Sequence, residues 1–156
     1  MLPLYVTSGE PAGIGPDICL SLADRVDERP IVVLADIHML KQRAEILNQQ
    51  IELIEYQGQS DTSAQGQLYV EHVALNTEVV LGKLNAQNSA YVLEQLRRSA
   101  DYAMQGKSVG VATAPVQKSI INDAGIQNFT GCFGDHASCI TRCARCHYRR
   151  ASASSD

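Results

Sequence analysis

Apolar and polar positions fall in blocks whose period changes along the chain. Leu2 to Val6 is a short apolar run that predicts a strand. Three glycines and two prolines then interrupt the chain between Gly9 and Asp17, and Ile18, Cys19, Leu20, Leu22 and Ala23 resume with helical spacing. The local prediction is strand, tight loop, helix, with Pro16 at the first helical position, where a missing N–H costs nothing. After a polar bend, Ile31-Val32-Val33-Leu34-Ala35 reads as a strand covered on both faces by helices. Asp36 then caps a helix running to about Leu47, with Met39, Leu40, Ala44 and Leu47 on its apolar side.

Ile51 to Tyr56 predicts a short strand, and 57–67 a polar loop. Leu68, Val70 and Val73 suggest another strand, and 76–84 is connection. The strongest helical signal covers Asn85 to Gln105. Leu93, Leu96, Ala100, Ala103 and Met104 form its stripe, Asn85 or Asn88 its cap, and Gly106 its C′ residue, while Arg97 and Arg98 lie on the solvated face. Ser108 to Thr113 reads as a strand halted by Pro115, and Ser119 to Ala124 as a short helix closed by Gly125. His38 and His72 read as surface or satisfied residues, and Cys19 as a buried, inert thiol.

Strands alternating with helices predict an α/β fold with a mostly parallel sheet and flanking helices. Ligands of such sheets gather beyond the carboxyl ends of the strands, where loops 7–16 and 113–118 both fall. The glycines at 9, 13 and 15 fit neither G-x-G-x-x-G nor a Walker loop. Glu10, Gly13, Gly15, Asp17 and Lys118, with Asn122 second, are the candidate substrate- or cofactor-binding residues. A connection that binds nothing accounts for the same glycines.

The 156 residues, 45% of them hydrophobic and 19% charged, suit one globular domain. A net charge of −4 argues against nucleic acid as a partner. No stretch is long and apolar enough to span a bilayer, and the N-terminus lacks the pattern of a signal peptide, which predicts a cytoplasmic protein.

The segments Thr7-Ser8-Gly9-Glu10-Pro11-Ala12-Gly13-Ile14-Gly15-Pro16-Asp17, Asn88-Ser89-Ala90-Tyr91, Ala112-Thr113-Ala114-Pro115-Val116-Gln117-Lys118, Ile121-Asn122-Asp123-Ala124-Gly125-Ile126 and Phe129-Thr130-Gly131 together resemble the 4-hydroxythreonine-4-phosphate dehydrogenase family, in its order and spacing. The resemblance implies a fold like part of isocitrate and isopropylmalate dehydrogenases and a homodimer in the cytoplasm. It implies an enzyme of pyridoxal phosphate biosynthesis that uses NAD or NADP and a divalent metal (Zn, Mg or Co). Its substrate, the small phosphorylated molecule 4-phosphooxy-threonine, is oxidised at its secondary alcohol, and the product decarboxylates to 3-amino-2-oxopropyl phosphate.

The family continues Phe-Thr-Gly with His-Thr-Glu, whereas Cys132-Phe133-Gly134 stands here. The family's metal histidines have no matching positions, so no catalytic or metal-binding residue carries over. Residues 1–131 read as the N-terminal part of a dehydrogenase-like α/β domain, and 132–156 as a tail foreign to the family. That tail is cysteine- and arginine-rich and too poor in aliphatic residues to order itself, as a shifted reading frame would make it. The fragment reading predicts a chain that is inactive by itself and poorly soluble. Two alternatives stay open. One is a metal- or haem-binding module, since Cys143, Cys146 and His147 form C-x-x-C-H and Cys132, His136 and Cys139 add zinc-type ligands. The other is a non-catalytic partner of an intact dehydrogenase.

Overall fold

A computed structural model describes residues 1–58, 61–123 and 125. Five strands form one parallel sheet: β1 (Leu4–Thr7), β2 (Ile31–Ala35), β3 (Glu52–Glu55), β4 (Gln67–His72) and β5 (Gly110–Thr113), in spatial order β3-β4-β2-β1-β5. The central strands β1 and β2 pair with Leu4 opposite Ile31 and Thr7 opposite Leu34, and β5 joins the other side of β1 with Thr113 opposite Thr7. Val32 to Ala35 are fully buried, as a strand sandwiched between helices requires.

The helices are α1 (Gly15–Leu20), which runs into a 3₁₀ turn over Ser21–Asp24, α2 (Ile37–Ile46), α3 (Ser89–Met104) and α4 (Lys118–Asp123). α1 packs on α2, and its Ile18 and Cys19, with Leu22 of the 3₁₀ turn, face the same side of the sheet as Leu4 and Val6. α3 takes the opposite side, where Tyr102 stacks on Tyr5 at 4.7 Å between ring centroids. The sheet therefore has helices on both faces, as the alternation of elements predicted.

Local chemistry accounts for the element ends. Pro16 sits in the first turn of α1. The Asp36 carboxylate caps α2 by accepting from the backbone N–H groups of His38 (2.9 Å) and Met39 (3.1 Å), and its other oxygen accepts from Leu75 N–H (3.0 Å). Gly106 ends α3 with φ of 67°. Asn85 caps a 3₁₀ turn over Ala86–Asn88 that precedes α3, and the Asn88 side chain instead accepts from Thr77 N–H at 3.1 Å. His38 is exposed, and His72 Nδ1 accepts from Ile37 N–H at 3.2 Å, so both have the bland roles read from the sequence.

Three expectations about helix faces need correction. Leu47 is the exposed C-cap of α2, because the helix stops one residue earlier, and Arg43 occupies the buried side. Met104 is 59% exposed, and the buried face of α3 runs through Tyr91, Val92, Gln95, Leu96, Ser99 and Ala100. The helix is rotated from the purely apolar stripe, and its inward face carries the polar side chains of Tyr91, Gln95 and Ser99. Arg98 is half-buried, donating to the His72 carbonyl at 3.2 Å and to Glu94 at 2.7 Å.

Candidate functional site

The loop from Ser8 to Ile14 and the turn at Ala114-Pro115 emerge side by side at the carboxyl ends of β1 and β5. Glu10 N–H donates to the Pro115 carbonyl at 3.1 Å and Ala114 N–H to the Thr7 carbonyl at 3.0 Å, so the structure joins the two loops that the sequence placed at this end. The glycines make that junction possible. Gly9 has φ of 69°, and a Cβ there would overlap the Pro115 carbonyl oxygen. A Cβ on Gly15 would overlap the Ser8 carbonyl and meet Ala114 Cβ at 3.1 Å. Close backbone approach is thus used within the protein. Gly13 is looser, with 3.4 Å from its hypothetical Cβ to the Glu10 carbonyl.

Two buried side chains, Gln95 and Tyr91, hold the loop from behind. Gln95 Oε1 accepts from Gly9 N–H and from Ser8 Oγ, each at 3.1 Å, while its Nε2 donates to the Gly9 carbonyl at 3.4 Å. Since the single Ser8 hydroxyl hydrogen goes to Gln95, the Tyr91 phenol is the donor in its 2.9 Å contact with Ser8 Oγ. Tyr91 in turn accepts from Asp36 N–H at 3.2 Å. Burial pushes the Tyr91 phenol up, which keeps it neutral and able to donate. One directional chain of hydrogen bonds therefore ties the ends of β1 and β2 to α3.

On the other side, Arg43 Nη2 donates to the Pro11 carbonyl at 2.8 Å, and Nη1 donates to the Gly13 carbonyl at 3.3 Å and to Asp17 Oδ1 at 2.9 Å. The guanidinium is buried, so its charge is matched by Asp17 and by loop carbonyls. Gly82 N–H adds a bond to the Ala12 carbonyl at 3.0 Å.

Of the candidates named from the sequence, Glu10, Gly13, Gly15 and Asp17 all lie on this loop. Asp17 faces Arg43. Glu10 is buried, and its Oε1 accepts from Ala12 N–H at 3.2 Å. Burial pushes its carboxyl above the ordinary range, against the lowering effect of that bond. Lys118 and Asn122 belong to the backbone of α4, which is packed at the start of α3 through a 3.2 Å bond from Ser89 Oγ to the Ile120 carbonyl, and their side chains lie outside the described ones. Cys132, His136, Cys139, Cys143, Cys146 and His147, with the proposed disorder of 132–156, lie outside the described residues. Sequence reasoning missed Arg43, Tyr91 and Gln95. The signal was present for one of them: Gln95 shares a helix face with Val92 and Leu96, and a polar residue in an apolar stripe marks a buried polar contact.

Among the described residues, no group of three or more His, Cys, Asp or Glu side chains could hold a metal ion, so these residues do not by themselves fit the divalent metal of the family resemblance. No helix among them is long and apolar enough to cross a membrane. A cavity of about 360 Å³ opens beside β1 and β5 on the α1 face, lined by Leu4, Val6, Ile18, Leu22, Ala112 and Ala114 among others. Cys19 lines it too, with burial pushing the thiol up to about 12, as an inert thiol requires.

Comparison with known proteins places these observations. A model of the family described as pyridoxal phosphate biosynthetic protein PdxA matches residues 27–146. The 4-hydroxythreonine-4-phosphate dehydrogenase of Vibrio cholerae is 45% identical over 125 residues, 79% of this chain and 38% of that protein. The enzyme of the same name from Yersinia pestis is 44% identical over 140 residues, 87% of this chain and 42% of that protein. The chain thus spans about two fifths of the length of these curated relatives. Among solved structures, 4-hydroxythreonine-4-phosphate dehydrogenase from Klebsiella pneumoniae superposes with a TM-score of 0.72 at 28% identity, over 84% of this chain and 42% of that one. A terephthalate 1,2-cis-dihydrodiol dehydrogenase from Burkholderia xenovorans shares the fold, with a TM-score of 0.64 at 22% identity over 81% of this chain and 38% of that one.

Proposed function

The chain belongs to the PdxA family of pyridoxal phosphate biosynthetic proteins, an oxidoreductase family, and on that premise we propose that it is the loop-bearing portion of an NAD(P)-dependent 4-hydroxythreonine-4-phosphate dehydrogenase. The reaction transfers a hydride from the secondary alcohol of 4-phosphooxy-threonine to NAD(P), releases the hydroxyl proton, and leaves a β-keto acid that loses carbon dioxide. The observation that carries this reading is the 45% identity to the Vibrio cholerae enzyme.

In this reading the chain's contribution is a rigid rim. Arg43, Tyr91 and Gln95 are positioning residues that fix the loop's backbone, and Glu10 supplies its titratable group. A divalent metal would polarise the alcohol oxygen when bound. Its ligands are not gathered among the described residues, and neither is a set of basic side chains on the loop, since Arg43 is neutralised by Asp17. The chain by itself is therefore proposed to be inactive. Purified chain supplied with 4-phosphooxy-threonine, NAD or NADP and a divalent metal should form no NAD(P)H above a protein-free blank, beside an intact relative that does. Formation above the blank would overturn the fragment reading.

A further inference from the structure

We infer that His72 is a proton-sensitive latch on the start of α2 and, through it, on the rigidity of the loop. The geometry where β4 meets α2 carries the inference. The first N–H groups of a helix have no partner within it, and α2 divides its own between two side chains. The Asp36 carboxylate takes those of His38 at 2.9 Å and Met39 at 3.1 Å, while the Ile37 N–H donates to His72 Nδ1 at 3.2 Å. A neutral imidazole has one acceptor nitrogen, so this bond places the ring's proton on Nε2. A second proton would go onto Nδ1, where it would meet the Ile37 N–H, donor against donor. His72 is half-buried, so solvent protons reach it. Only the neutral ring closes the latch, so the stability it lends this junction is present at neutral pH and lost as pH falls.

The charged groups around the ring do not offset that loss. His38, in the first turn of α2, brings a second imidazole with its centroid 5.8 Å away, a like charge when protonated. From α3, the Arg98 guanidinium donates to the His72 carbonyl at 3.2 Å. The start of α2 is also the positive end of its dipole. Of the carboxylates, Asp36 is committed to three backbone N–H groups, the third being that of Leu75 at 3.0 Å. Glu71 points to the other face of the sheet, where it accepts from Tyr102 at 2.6 Å and faces Arg98 at 3.7 Å. Glu94 is held by Arg97 and Arg98. Transmission to the loop starts one residue before the latch: Asp36 N–H donates to Tyr91, which donates to Ser8. Arg43, on the same helix, holds the Pro11 and Gly13 carbonyls. The inference rests on the fold and is independent of the reaction proposed above.

The test is amide hydrogen exchange on the full chain, read by mass spectrometry over peptides covering 36–40 and 8–13. It compares about pH 7.5 with about pH 5, the interval in which an unperturbed imidazole changes charge. The chains carry Glu10→Gln, so that no side chain of 8–13 titrates. After correction for the intrinsic exchange rate at each pH, protection of both peptides should fall roughly fivefold in acid, the weight of one hydrogen bond. Adding His72→Asn puts a carbonyl oxygen where Nδ1 stands and removes the titration, so protection should then be equal at the two pH values. Adding His38→Gln instead should leave the step in place. A step missing from either peptide, surviving His72→Asn, or removed by His38→Gln would overturn the inference. If a variant fails to fold, the imidazole nitrogen shifts of the unsubstituted chain decide: His72 should be protonated on Nε2 alone at neutral pH, and a ring protonated on Nδ1 would overturn the latch. No turnover is read, so an inactive chain leaves the result intact.

Discussion

Replacing Gln95 by Leu removes the amide that holds the rim while keeping nearly the same volume. Gly9 N–H loses its acceptor, the Ser8 hydroxyl loses one of its two partners, and the Gly9 carbonyl loses a long bond. Gly9 and Ser8 are buried, so water cannot readily replace these bonds. A stranded buried donor costs about 1–3 kcal/mol, and a hydrogen bond lost by a group that keeps another partner about 1 kcal/mol. The apolar gain from Leu offsets part of this, giving a net loss of about 3 kcal/mol. For a chain of this size that corresponds to a fall of roughly 6–12 °C in the midpoint of thermal unfolding. Far-UV circular dichroism would measure it on purified wild-type and variant chains. A useful companion is Gln95→Glu, whose buried carboxyl can replace the amide only when protonated. Its folded-state pKa is raised, so its stability should be near wild type in acid and should fall as the pH rises through that value. A Gln95→Leu variant melting within about 2 °C of wild type would refute the assignment of the loop's rigidity to this side chain.

Gly15→Ala should cost about 2 kcal/mol by overpacking against the Ser8 carbonyl and Ala114, whereas Gly13→Ala should stay within about 0.5 kcal/mol; equal midpoints in urea would contradict the packing account. Thr7 is fully buried and its hydroxyl has no partner among the described residues, so Thr7→Val should raise stability by about 1 kcal/mol, read from the same urea titration. The Glu10 carboxyl is raised by burial, so the stability associated with its neutral form is fully present below the unfolded-state pKa of about 4.5 and is lost as pH rises through the higher folded value. Glu10→Gln should remove that loss, flattening the stability profile just above pH 4.5; an unchanged profile would show that the carboxyl is not desolvated.

The sheet was legible in the sequence because its determinants are local. Ile31 to Ala35 is apolar throughout since both faces are covered, Asp36 caps the helix that follows it, and Gly106 takes the positive φ that ends α3. The location of the loop was legible for the same reason: glycine and proline punctuate it wherever the rest of the chain folds. What holds the loop was not. Gln95 lies 86 positions from Gly9, and Arg43 is 32 positions from the Pro11 carbonyl it binds, so no periodicity within one element points to either contact. The apolar stripe drawn through Met104 failed because α3 spends part of its inward face on Tyr91, Gln95 and Ser99, where polar groups are satisfied by the loop and by the helix itself. The Asp17 charge was anticipated at a helix start, but its partner Arg43 required knowing that α1 packs on α2.

The most direct test of the account is turnover by a chimera in which residues 1–125 of this chain replace the corresponding portion of the Vibrio cholerae enzyme. The account predicts NAD(P)H formation from 4-phosphooxy-threonine by the folded chimera, and none by the present chain alone. A folded chimera that forms no NAD(P)H, beside an active intact relative, would contradict the claim that this chain carries the loop-bearing portion of that dehydrogenase.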